Sequence, residues 1–152
     1  MDNSIVKQQL YNFCLDSLNK RIEAAKTSME DAQNSANEEG KSSMGDKYET
    51  ARAMGQIVRD MNAKQLQEAF KELSFLQKIN PEKVNTTIDV GCAVKTTAGN
   101  FYISISIGQL KIENQTWFAL SAGAPIAQAL LNKKVGDSYT FRDKTEQILE
   151  VF

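Results

Sequence analysis

Histidine is missing altogether from these 152 residues. Its absence removes the imidazole base on which Ser-His and Cys-His nucleophilic sites depend, and leaves no His/Cys set for zinc. Cysteine is nearly as scarce. Cys14 and Cys92 stand far apart without metal-ligand neighbours, so the expectation is two buried, reduced thiols in a cytoplasmic protein. The only prolines are Pro81 and Pro125, which leaves the first half free to form long helices. No apolar run is long enough to span a bilayer, and the opening Met1-Asp-Asn-Ser is no signal peptide. Neither charge dominates: 18 Lys and Arg stand against 19 Asp and Glu. Bulk attraction to nucleic acid or to an anionic membrane is therefore not indicated. These absences point to a small cytoplasmic protein without a self-sufficient hydrolytic site.

What is present divides near Asn80-Pro81 into 1–80 and 81–152. The first part is rich in Ala, Gln, Glu, Lys and Met. Leu15, Leu18, Ile22, Ala25, Met29, Ala32 and Ala36 follow alternating steps of three and four, the mark of a helix packed along one narrow stripe. After a polar break at 37–43 the period resumes with Met54, Val58, Met61, Leu66, Phe70 and Leu73. The second helix should stop around Ile79, because a residue before proline is pushed out of helical geometry. The pattern predicts an antiparallel helical hairpin of the coiled-coil kind. Its arms of ~35 residues, at ~1.5 Å rise each, would reach ~50 Å.

The second part carries β-branched and aromatic residues and most of the glycines. Strands are expected over 86–96 (interrupted at Gly91), 101–107, 116–120, 138–142 and 147–152, with a turn at Ala98-Gly99-Asn100. Trp117, Phe118 and Phe101 could line an aromatic pocket, although residues at strand spacing more often fill a core. The expected class is α+β, a helical hairpin followed by an antiparallel sheet domain with one short helix.

That short helix lies in Ser121-Ala-Gly-Ala-Pro-Ile-Ala-Gln-Ala-Leu-Leu-Asn-Lys-Lys-Val-Gly-Asp137. Pro125 suits a first helical turn, where its missing N–H costs nothing. Ile126, Leu130 and Leu131 share a face, and Lys133 and Lys134 fall where the helix dipole favours cations. Gly136-Asp137 then turns the chain toward another strand. The ordered string Pro125, Ile126, Ala129, Leu130, Leu131, Lys133, Lys134, Val135, Gly136, Asp137 resembles the C-terminal signature of the bacterial Gre transcript-cleavage factors. Ile88, Val90, Gly91 and Val94 also resemble that family's first C-terminal strand. The resemblance implies a sheet domain like that of FK506-binding proteins and an elongation factor that binds RNA polymerase. It implies docking through the corner Gly123, Ala124, Pro125 and Ile126. Two positions differ there from the family pattern: Ala124 replaces the usual Ser, and Gly123 replaces a frequent acid.

The family carries Gly-Asp-x-x-Glu between its two long helices, and Gly45-Asp46-Lys47-Tyr48-Glu49 matches it. The loop before Gly45 is longer and richer in serine than the family's usual tip. The resemblance implies that the hairpin enters the polymerase secondary channel. There Asp46 and Glu49 would help hold a Mg²⁺ shared with the polymerase and orient the water that cuts backtracked RNA. The chain would be no enzyme by itself and would have no cofactor of its own, the polymerase aspartates completing the site. Transcript RNA would be met indirectly, and no membrane is involved. The same Asp-x-x-Glu also reads as a capping box at a helix start. Lys20, Arg21, Lys26, Arg52, Arg59 and Lys64 could flank the RNA or form an ordinary solvated face. Two other readings stay open: a Gre-fold regulator that blocks the channel without cleavage, and a prolyl-isomerase or chaperone-like sheet domain.

Overall fold

A computed structural model of the protein describes residues 2–39 and 45–152, with the side chains of 35–39, 45–48 and 51 outside the description. Helix α1 spans Asn3–Glu39 and α2 spans Gly45–Gln77. There follow β1 (Ala93–Thr96), β2 (Asn100–Ser104), β3 (Gly108–Ile112), β4 (Gln115–Ser121), α3 (Pro125–Leu130), β5 (Ser138–Phe141) and β6 (Lys144–Val151). The fold is therefore mixed, long helices first and a six-stranded sheet after them. By its contacts the chain forms two units, one of Met1–Asp16 with Phe75–Phe152 and one of Ser17–Ser74.

In the unit Ser17–Ser74 the two helices run antiparallel. Arg21 meets Glu72 at 2.6 Å, Asn62 donates to the Ser28 hydroxyl at 2.9 Å, and Arg59 donates to Gln33. Partners on α2 thus fall in number as those on α1 rise. Leu18, Ile22 and Ala25 are buried on α1 as the spacing predicts. On the part of α2 in this unit, the buried positions among the described residues are Asn62 and Ala69, with Val58, Leu66 and Leu73 half-buried. Met54, Met61 and Phe70, expected in the stripe, are 58 %, 59 % and 48 % exposed. The stripe runs through a polar residue and a small one instead. Asn62 is tolerated because Ser28 supplies a partner for its amide.

The other unit is built around the sheet, whose order is β3-β4-β2-β1-β6-β5. Every pairing is antiparallel except β2 with β4, which is parallel from Asn100↔Trp117 to Ser104↔Ser121. Strand β2 is buried on both faces. One face carries Phe101 and Ile103, which cluster with Ile88, Val94, Leu130 and Ile148. The other carries Tyr102 and Ser104, with Trp117 and Ala119 beside them through the register. Here α1 supplies the cover: Val6, Leu10 and Cys14 are buried, and the Cys14 sulfur lies 3.8 Å from the Ser104 hydroxyl. This face also holds two orphans. The Tyr102 hydroxyl and the Trp117 indole nitrogen are buried with no hydrogen-bond partner among the described residues. Trp117 meets Phe152 edge-on at 6.1 Å.

The start of α1 is capped by Asp2, whose carboxylate accepts the Ser4 N–H at 3.1 Å. Helix α2 ends at Gln77 rather than Ile79. The N–H groups of Lys78 and Ile79 bond the carbonyls of Phe75 and Leu76, a tightening over three residues common at helix ends. The expected strand over 86–96 is reduced to Ala93–Thr96, with an isolated bridge Thr87↔Lys134 before it. Gly91, at φ +92°, bends the chain there, and a Cβ on it would meet Ile79 at 3.0 Å. Strand β3 was not anticipated from the sequence. It joins β4 through a two-residue turn, Glu113-Asn114, with φ of 51° and 65°. Arg142-Asp143 closes β5 onto β6 in the same way, with φ of 51° and 64°. Among the described residues no helix is long and apolar enough to cross a membrane.

Candidate functional site

The Gly45-Asp46-Lys47-Tyr48-Glu49 motif opens α2, with Gly45 as its first helical residue. Asp46 and Glu49 both belong to the helix and lie three residues apart. Glu49 is exposed. The side chain of Asp46 and the whole of 40–44 lie outside the described residues, so the expected Asp46 ligand and cap are not placed here. Among the described residues no group of three His, Cys, Asp or Glu gathers as a metal site. Mg²⁺ takes six oxygens and is commonly held by one or two carboxylates with waters and substrate phosphate. Asp46 and Glu49 fit that donor chemistry only as part of a larger set.

The cations expected to flank the motif have different settings. Arg21 is paired with Glu72, and Arg59 is held by Gln33 and Gln56. Both are engaged within the helical unit. Lys20, Lys26, Lys64 and Arg52 are exposed. Asp60, four residues before Lys64, accepts from Gln56 at 2.9 Å.

The corner 121–137 folds as a short helix and a tight exit. Ala124 is the N-cap residue of α3, at φ −64° and ψ 143°, with no side-chain cap. Its carbonyl accepts the Gln128 N–H, while its own N–H bonds the Ser121 carbonyl at 3.1 Å. Pro125 stands in the first turn as expected. Gly123 and Pro125 are exposed, Ala124 and Ile126 half-buried. Ala127 and Leu130 are buried, which fixes which face of α3 turns outward. Gln128 was passed over in the sequence, yet its amide donates to the Ala122 carbonyl at 2.5 Å and ties the corner to its own helix. Its place within an Ala-rich string was the only available signal.

The Lys-Lys-Val-Gly-Asp exit has a plain structural reason for its order. The Asp137 carboxylate accepts the Lys134 N–H at 3.0 Å, and the Asp137 N–H returns to the Lys134 carbonyl at 3.0 Å. Gly136 takes φ +91°, a region that favours glycine. The Gly136 N–H reaches the Ile148 carbonyl, and Asp137 accepts from Ile148, locking the turn to β6. Backbone bonds Ile88–Lys133 and Asn132–Ile88 fasten the segment before it.

Trp117 is fully buried and Phe101 nearly so, while Phe118 is 36 % exposed and stacks at a tilt on Phe101 at 6.1 Å. These aromatics fill the sheet, and no groove exposes Trp117. No family model matches this chain, and no curated protein matches it.

Proposed function

We propose that this chain is a Gre-like elongation factor, cytoplasmic, that enters the RNA polymerase secondary channel and stimulates cleavage of backtracked RNA. The observation that carries the reading is the ordered string 125–137. It forms one short helix and a locked turn on a mostly antiparallel sheet, in a chain that begins with two long antiparallel helices. We read the sheet unit as FK506-binding-protein-like and the helical unit as the channel probe. Asp46 and Glu49, at the start of α2, are the metal-orienting pair. Bound Mg²⁺, shared with the polymerase, would polarise the phosphodiester and generate the nucleophile. This chain's part is to supply two carboxylates that help hold the ion and orient the water that cuts the RNA. Gly123, Ala124, Pro125 and Ile126 form the docking corner. The buried Trp117 weighs against the isomerase-like reading.

The test is a cleavage assay on stalled, backtracked complexes. Wild type should shorten the RNA in Mg²⁺, and Asp46→Asn with Glu49→Gln should abolish shortening without loss of polymerase binding. Binding without cleavage by wild type would replace this reading with that of a channel-blocking regulator. Failure to bind the polymerase would remove both.

A further inference from the structure

The segment that leaves α2 and leads to β1 borders a half-open cavity of about 230 Å³ within the sheet unit. Phe75, Ile79 and Val90 give it apolar walls, and Lys78, Lys83 and Asn85 give it donors. No acidic residue lines it among the described residues. Its walls are fixed by backbone. The Lys83 N–H bonds the Asn80 carbonyl at 3.2 Å, the Glu82 N–H bonds the Asn80 side chain at 2.9 Å, and the Gly91 N–H bonds the Ile103 carbonyl at 2.6 Å. Gly91 is required for this closure, because a Cβ would press Ile79.

A second observation bears on charge. Lys7 is only 3 % exposed, and its ammonium donates to the Lys83 carbonyl at 2.5 Å. No carboxylate pairs with it among the described residues, and burial pulls its pKa below the ordinary lysine value, with Cys92 opposing the shift and the Lys83 ammonium adding to it. A buried cation is normally paired with an anion. Here the Lys7 ammonium is tied to the backbone of one cavity-lining residue, Lys83, and no counter-charge pairs with it among the described residues.

We infer that this cavity is a binding site for a small organic phosphate monoester. Two ammonium groups and an amide match a dianionic head better than a single carboxylate. Phe75, Ile79 and Val90 take the planar or apolar body. Drug-sized ligands fill ~300–1,000 Å³, so the ligand is smaller, a phosphate bearing a single ring.

Phenyl phosphate is the probe, titrated into the ¹⁵N-labelled full chain, with inorganic phosphate and phenol as separate titrants. Saturable amide shifts should gather at Lys83, Asn85, Val90 and Gly91. Lys78→Gln with Lys83→Gln should weaken binding about tenfold or more, the rest of the spectrum reporting an intact fold. Phe75→Ala should weaken phenyl phosphate while leaving inorganic phosphate unchanged. The inference is overturned if no saturation is seen by ~10 mM, if the double variant binds equally well, or if shifts scatter over remote lysines such as Lys20 and Lys144. Equal affinity for phenyl phosphate and inorganic phosphate would overturn it too. The site stands apart from the polymerase reading, and neither assay decides the other.

Discussion

The Cys14 thiol is fully buried against the Ser104 hydroxyl, and burial pushes its pKa from 9.0 up to about 11. An acid whose folded pKa is raised keeps its proton longer in the native state. Its contribution is full below pH 9 and is lost as pH climbs from 9 to about 11. At 1.36 kcal/mol per pKa unit the loss is about 2–3 kcal/mol. Cys14→Ala removes that titration. Its denaturation free energy, starting lower because of the cavity left, should fall less steeply than wild type between pH 9 and 11. Parallel slopes would sink the assignment. At the docking corner, Ala124 already has extended N-cap geometry and lacks only an acceptor. Ala124→Ser should add about 1 kcal/mol by accepting a first-turn N–H. A rise in Tm of roughly 2–4 °C would register the gain, and an unchanged Tm would mean the hydroxyl does not reach.

Among the elements, the two tight hairpins are the least anticipated. Both place non-glycine residues at positive φ in adjacent turn positions, where Asn-Gly is the favoured pair. Glu113→Asn with Asn114→Gly should therefore stabilise the β3–β4 hairpin by about 1 kcal/mol, measured by urea denaturation. The equivalent change at Arg142-Asp143 should yield less, because it removes the Arg142 guanidinium that lies 5.1 Å from the Phe141 ring centroid. These turns explain why β3 was not legible. Glu113-Asn114 carries no glycine or proline to punctuate the chain, although Gln109-Leu110-Lys111-Ile112 does alternate polar and apolar. The long helices were legible because proline is absent and Leu18, Ile22 and Ala25 keep the period. The α2 stripe was misread where side-chain size was taken for burial: Met54, Met61 and Phe70 face outward while Asn62 and Ala69 face the partner helix. The covering role of Val6, Leu10 and Cys14 was invisible, because only the fold sets the sheet against that stretch. At the candidate site, helix α3 and its exit were readable from Pro125 and Gly136-Asp137. The Gln128 tie and the missing cap at Ala124 took their meaning only from geometry.

Across the whole molecule the two units bury very different material. The sheet unit hides Trp117, Tyr102, Leu10, Leu76, Ile88 and Ile103 completely. The unit Ser17–Ser74 hides Leu18, Ile22, Ala25, Asn62 and Ala69. At ~25 cal/mol per Å² of apolar surface, alanines and an asparagine contribute far less than aromatic and branched side chains. Native-state hydrogen exchange should therefore find the amides of β2 and β4 opening only with global unfolding. Amides of the helical unit should open at a lower free energy, by at least a few kcal/mol. One common opening energy for both would contradict the division.

The single tryptophan gives that division an optical handle. Trp117 sits at zero exposure, its indole nitrogen without a partner among the described residues. Its emission should be blue and shielded from iodide, and should report on the sheet unit in which it is buried. Far-ultraviolet ellipticity, dominated by α1 and α2, sees what the indole does not. Recorded on one sample through a denaturant series, the two signals amount to a separate thermometer for each unit, with no label added to the chain.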